Sequence, residues 1–206
     1  MKGKLNIRHL ATESDAEAEL FDDVAQADFI ESQSLWRPVL WAACRILHLK
    51  GKPLPLYKHW DWTQKAPALG RLDVTFFGLR CRGHLQGLMK ADTGSLNRCR
   101  LDGQKGKELV YVDYVETAPW NIKDYMEALG RQALFSRVGA RLMQAAVTLS
   151  LENELKGRVG LHSLPDAEDF YRGIGMTPTE RDPNKENLLW FEFTPEAAED
   201  FMRKYQ

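Results

Sequence analysis

The sequence predicts an α+β fold with helices first, then a mostly antiparallel sheet, then a β-α-β-α unit that adds a parallel pair of strands. Three stretches carry that expectation. Leu35, Trp36, Val39, Leu40, Ala43, Ile46 and Leu47 recur at helical spacing. LVYVDYVET (109–117) is β-branched and aromatic throughout, and Ala118-Pro119 ends it. Val138, Leu142, Ala145 and Leu149 then step by 4, 3 and 4, and the apolar segment RVGLHS follows.

With 206 residues, 44% of them hydrophobic, the chain can close one core, so a single domain over 1–206 is expected. Its parts are a helical region to residue 70, a core over 71–193 and a terminal helix over 194–206. The 28 basic and 29 acidic residues leave a net charge of −1, which argues against a nucleic-acid binder. The longest uncharged run, Leu142 to Leu151, is about half a membrane span. MKGKLNIRHLATESD has no apolar run behind its basic residues, so no secretory leader is expected. Cys44, Cys81 and Cys99 are an odd, widely spaced set, and a reducing cytoplasm is the expected compartment.

In chain order, Ser14-Asp15 and the acids after it suggest one or two amphipathic helices through Leu20, Phe21, Val24, Phe29 and Ile30. A helix over 33–50 follows, with Pro38 near its first turn and Gly51 near its stop. PLPLYKHWDWTQKAPALG is expected to be irregular. Strands are expected over 72–82 and 84–92 with a turn at Gly83, then a turn-rich or exposed segment, then the strand 109–117. Residues 121–136 are a mixed connection. The helix from Val138 is expected to close at Gly157, RVGLHS to form a short buried strand, and PDAEDFYRGIGM a short helix. A last strand over 187–193 leads to a helix capped by Thr194 with Pro195 at its first position.

Nucleotide-binding glycine loops, GxSxG and HExxH are absent, and Cys81 with His84 makes a lone C-x-x-H, better explained as a turn than as a metal site. The start of the helix at Arg137-Val138-Gly139-Ala140-Arg141-Leu142 is a candidate anion site, because a helix N-terminus presents unpaired N–H groups and a positive dipole end.

Taken in order, LVYVDYVETAPWN, SRVGARLMQAA, GRVGLHS and AEDFYRGIGM resemble the conserved core of the GNAT acetyltransferase superfamily, with QGLM (86–89) as the preceding strand. Gly139 matches the final small residue of the superfamily's helix-opening motif, and Leu142 its apolar position. Leu134 and Arg137 depart from it, standing where Gln or Arg and a first glycine are usual, and the connection from Pro119 to Gly139 is longer than the common form. The resemblance implies a splayed parallel strand pair that takes the pantetheine arm of acetyl-CoA, with Val115 and Thr117 offering main-chain groups and Arg137 through Leu142 (Arg137, Val138, Gly139, Ala140, Arg141, Leu142) holding the pyrophosphate. It implies transfer of an acetyl group to a primary amine, on a small molecule or a peptide, by direct attack on the thioester. Tyr171 stands at the position that often protonates the departing thiolate. Glu116 is favoured as the base, with Asp113 and His162 as alternatives. Trp60, Trp62 and Trp120 are candidates for an aromatic acceptor wall, with Tyr57, His59 and Asp61 nearby in sequence, whereas Trp36 and Trp41 are better read as core. A CoA-sensing or protein-binding module on the same fold is the alternative, and oligomeric state is left open, a homodimer included.

Overall fold

The chain opens on a hairpin, not on helices. In the computed structural model, which describes residues 2–94 and 96–205, β1 (Lys2–His9) and β2 (Ser14–Phe21) pair antiparallel from Lys2↔Phe21 to His9↔Ser14. SDAEAELF alternates Ala16, Ala18 and Leu20, all buried, with Asp15, Glu17 and Glu19, which face outward. That period of two outweighs the acidic helix-start signal, since only a strand can bury one set and solvate the other. The helical region expected up to residue 70 is therefore half strand and turn.

Helix α1 (Gln26–Leu49) starts where Asp28 accepts the Ala25 N–H at 2.8 Å. Phe29, Ser32, Trp36, Leu40, Ala43 and Leu47 form its buried stripe. Pro38 lies in its interior instead of its first turn, and Gly51 (φ +64) follows its end. Trp41, expected in the core, is 62% exposed on the far side of that stripe. Two short 3-10 turns, Leu56–His59 and Trp62–Ala68, fill the connection to β3 (Val74–Cys81). Arg82 (φ +51) and Gly83 (φ +78) both take the left-handed region, making the tight hairpin to β4 (His84–Asp92).

β5 (Val110–Thr117) runs into a 3-10 turn at Pro119–Asn121, α2 (Lys123–Ala128) and β6 (Phe135–Ser136), which pairs back onto β1. α3 (Val138–Glu152) ends five residues before Gly157; Glu154, Lys156 and Gly157 have positive φ in the tight link to β7 (Val159–Ser163). α4 (Glu168–Gly173) precedes β8 (Thr177–Asp182) and β9 (Leu188–Glu192), an antiparallel pair of which only β9 was anticipated. α5 (Pro195–Lys204) begins as expected, with Thr194 Oγ1 accepting the Ala197 N–H at 3.2 Å.

The strand order is β6-β1-β2-β3-β4-β5-β7-β9-β8, a mostly antiparallel sheet with a parallel pair at β5 and β7, flanked by helices. The chain folds as two compact units. One comprises Met1–Arg71, Phe76–Leu88 and Val115–Leu142, the other Leu72–Thr75, Met89–Tyr114 and Met143–Gln206. In the first, Phe29 packs edge-on against Phe76 at 5.2 Å and beside Trp62 at 5.9 Å. In the second, Phe193 stacks on Phe201 at 5.1 Å, fastening α5 to the end of β9. Each such buried ring contributes about 1.5–3 kcal/mol of burial free energy. Among the described residues no helix is long and apolar enough to cross a membrane.

Candidate active site

The parallel ladder in the second unit is short. β5 and β7 pair only at Val110↔Val159 and Tyr111↔Gly160, with the Val110 N–H donating to Arg158 O at 3.1 Å. Past that last rung β7 runs on through Leu161, His162 and Ser163, and β5 through Val112, Asp113 and Tyr114. β7 stays paired with β9 on its other edge, from Gly160↔Glu192 to Ser163↔Leu189. Among the described residues the β5-side edge of β7 therefore carries no ladder beyond Gly160, and an extended chain of amide groups can pair with the backbone groups that alternate onto that edge.

Tyr171 on α4 packs its ring against Phe170 (5.1 Å) and Phe191 (5.6 Å) and is 6% exposed. Among the described residues its hydroxyl has no hydrogen-bond partner, and burial pushes its phenol above the ordinary value. It is a protonated hydroxyl at neutral pH, able to donate a hydrogen bond, and at need its proton, to a group that develops negative charge beside it.

The opposite face of the same strands is polar. Successive side chains alternate along β9, so Trp190 and Glu192 lie on the face away from Phe191 and Tyr171. His162 lies against Trp190 at 4.6 Å, and Tyr111 stacks parallel to Trp190 at 5.8 Å. His162 Nδ1 is 2.9 Å from Tyr111 Oη, and its Nε2 is 3.1 Å from Asp182 Oδ2. Arg100 donates to Asp182 at 2.7 Å and holds that carboxyl down at about 2. Burial pushes the His162 pKa below its ordinary value. The Glu192 carboxylate fixes the loop that carries Arg100, accepting from the Arg100 amide, from Gln104 Nε2 at 2.7 Å and from Trp190 Nε1 at 2.5 Å.

In the first unit, Glu116 is not a base presented to solvent. It is buried, with Oε1 paired to Arg37 Nη2 and Oε2 accepting from Trp62 Nε1 at 2.7 Å. Burial pushes its carboxyl pKa up, while Arg37 and Trp62 pull it back. Trp62, expected in an aromatic wall, is fully buried on this carboxylate. Trp60 is half-buried beside Tyr57 at 5.5 Å, and Trp120 is half-buried with its Nε1 donating to Gln86 Oε1 at 2.8 Å. Trp36 is core as expected, its Nε1 donating to Leu85 O at 3.2 Å. Asp113, in the second unit, pairs with Lys90 at 2.6 Å. Val115 and Thr117 are half-buried at the end of β5.

α3 begins at Val138. The first helical bond runs from the Arg141 N–H to Arg137 O at 2.9 Å, so the amides with no acceptor inside the helix are those of Val138, Gly139 and Ala140. Arg141 Nε donates to Asn6 O at 2.9 Å, and Leu142 is fully buried. Arg137 stands just before the helix at φ +72, half-exposed, with Nη1 3.9 Å from Asp15. An added Cβ on Gly87 of β4 would lie 2.9 Å from Val138 and Leu142, so the helix start rests directly on that strand.

Sequence reasoning missed Arg37, Tyr111, Asp182 and Arg100. Arg37 lies 79 positions from Glu116, and Arg100 lies 82 from Asp182; no local pattern marks such partners. Among the described residues no cluster of three His, Cys, Asp or Glu side chains could hold a metal ion, and all three cysteines are buried and free.

No protein-family model and no curated protein matches the chain by sequence. Solved structures do match by fold. A PaiA N-acetyltransferase from Thermoplasma acidophilum, in complex with coenzyme A, aligns with a TM-score of 0.53 at 13% identity over 85% of this chain and 97% of that one. A GNAT-family acetyltransferase from Listeria monocytogenes aligns at 0.53 and 12% identity over 93% and 99%. FeeM, an N-acyl amino acid synthase from uncultured soil microbes, aligns at 0.55 and 15% identity over 92% and 97%. The protein has the GNAT fold.

Proposed function

We propose that this protein is an acyl-CoA-dependent acyltransferase, and more narrowly an N-acetyltransferase that moves the acetyl group of acetyl-CoA to a primary amine by direct attack. The observation that carries this is the two-rung parallel ladder, beyond which the β5-side edge of β7 carries no ladder and its backbone groups on that side can pair with an amide-bearing arm. The helix start also suits the phosphate end of such a substrate. Val138, Gly139 and Ala140 offer three N–H groups, Gly139 has no side chain to hold a ligand off, and Arg137 adds a charge. Acetyl-CoA supplies an acyl carbon already activated as a thioester. Tyr171 gives its proton to the sulfur as charge develops there. In the first unit Glu116 keeps the end of β5, with Val115 and Thr117, in place through Arg37 and Trp62.

Release of free thiol from acetyl-CoA with a panel of primary amines tests the reading. Tyr171→Phe should lower turnover about 10²-fold or more while acetyl-CoA still binds. Thiol release from no amine by a chain that binds acetyl-CoA would favour the CoA-sensing alternative instead.

A further inference from the structure

The acyltransfer reading leaves open what takes the proton from the amine. We propose that Tyr111, His162 and Asp182 form that proton relay, with Arg100 holding Asp182; the proposal rests on the acyltransfer reading. All four residues belong to the second unit.

Position is the first argument. Tyr111 occupies the last rung of the β5–β7 ladder, and His162 lies two residues beyond its partner Gly160. The 2.9 Å contact from Tyr111 Oη to His162 Nδ1 therefore bridges β5 and β7 where their backbones stop pairing. A thioester carried by an arm paired with β7 lies next to that bridge.

The direction of the hydrogen bonds is the second. Asp182 is ionised, so it only accepts: from Arg100 and His162 at Oδ2 and from the Asn184 N–H at Oδ1, 2.9 Å away. His162 Nε2 must then carry the hydrogen, which leaves a lone pair on Nδ1 for the Tyr111 O–H. The Tyr111 oxygen keeps its own accepting capacity for a proton from outside. Trp190 fixes both rings, with His162 edge-on and Tyr111 parallel, and Arg100 lies 4.3 Å over it.

The third is the alternation of side chains. The relay shares the Trp190 face of the sheet, whereas Tyr171 sits on the Phe191 face. Attack and departure from a thioester between them then take place on opposite sides. The amine proton passes to Tyr111 Oη as the Tyr111 proton crosses to His162 Nδ1, and Asp182 balances the imidazolium. The nitrogen forms the C–N bond, the C–S bond breaks, and the electron pair leaving with sulfur receives the Tyr171 proton. Exchange with solvent then resets both groups, and no oxidant or reductant takes part. The charged and titratable groups around the relay are Arg100 on its loop, Asp182 on β8, Lys185 in the following turn, and Asp113 with the neutral Tyr114 on β5; Asp113 is itself paired to Lys90.

The test follows thiol release from acetyl-CoA between pH 5 and 9, with primary amines and with water alone as acceptor. The wild-type rate should climb with pH through a limb below the ordinary histidine value of about 6.5. Tyr111→Phe, which keeps the ring and its stacking, and His162→Gln should each lower turnover about 10²-fold and flatten that limb, with the acetyl-CoA thermal shift unchanged. Asp182→Asn should do the same less completely. A merely structural strut would lose melting temperature in these variants and keep the limb. An unaltered limb in Tyr111→Phe, in a wild type that turns over, overturns the relay alone. A wild type that binds acetyl-CoA and never releases thiol overturns relay and transfer together, and one that does not bind it overturns the acyltransfer reading itself.

Discussion

Arg137 holds a left-handed backbone (φ +72) that costs a non-glycine residue about 1–2 kcal/mol, at a position where the GNAT pattern has glycine. Arg137→Gly should therefore raise stability by about 1 kcal/mol in urea unfolding. A fall of that size would mean that the side chain, with Asp15 nearby, offsets the strain. The Arg37–Glu116 pair predicts strong coupling. Among the described residues Arg37 Nε and Nη1 are also buried without a partner, so the pair is an expensive one to hold. Arg37→Met alone should cost about 3–5 kcal/mol by stranding a buried carboxylate, and adding Glu116→Leu should recover most of the loss. Additive losses would deny the pairing. Asp182 is held at about 2 by Arg100, below its unfolded value of about 3.9. Its contribution is complete above pH 4 and is lost as pH falls toward 2, so Asp182→Asn should flatten acid unfolding in that window. His162 acts in a higher window: with its folded pKa lowered, its contribution is complete above about 6.5 and declines as pH falls below that. Identical acid-unfolding curves for wild type and Asp182→Asn would exclude the Arg100–Asp182 pair as their cause.

Elements differ in how plainly their sequences announced them. β5 and α5 were legible because one carries dense β-branched and aromatic residues and the other a Thr-Pro cap at an amphipathic start. β2 carries its own signal in the alternation of Ala16, Ala18 and Leu20 with the acids between them. β8 was not. As the edge strand of the sheet it is half solvated and tolerates Pro178, so TPTERD reads as loop. The proposed site divides in the same way: local motifs mark Tyr171 and the start of α3 as candidates, whereas the partners of Glu116 and His162 come from elsewhere in the chain. Gly87 belongs to this scale because it lets α3 start directly against β4. Gly87→Ala should cost about 1–3 kcal/mol by pressing on Val138 and Leu142. A neutral result in chemical denaturation would mean that α3 shifts freely.

At the scale of the whole molecule, a near-neutral chain of GNAT fold with a short parallel ladder supports the proposal of an acyl-CoA enzyme. The most direct check is thermal unfolding with and without saturating acetyl-CoA, beside ATP and NAD at the same concentration. At a hundredfold excess over its dissociation constant, acetyl-CoA should stabilise the fold by about 2.7 kcal/mol, a clear rise in melting temperature that ATP and NAD do not reproduce. No shift, or an equal shift with all three, would contradict it.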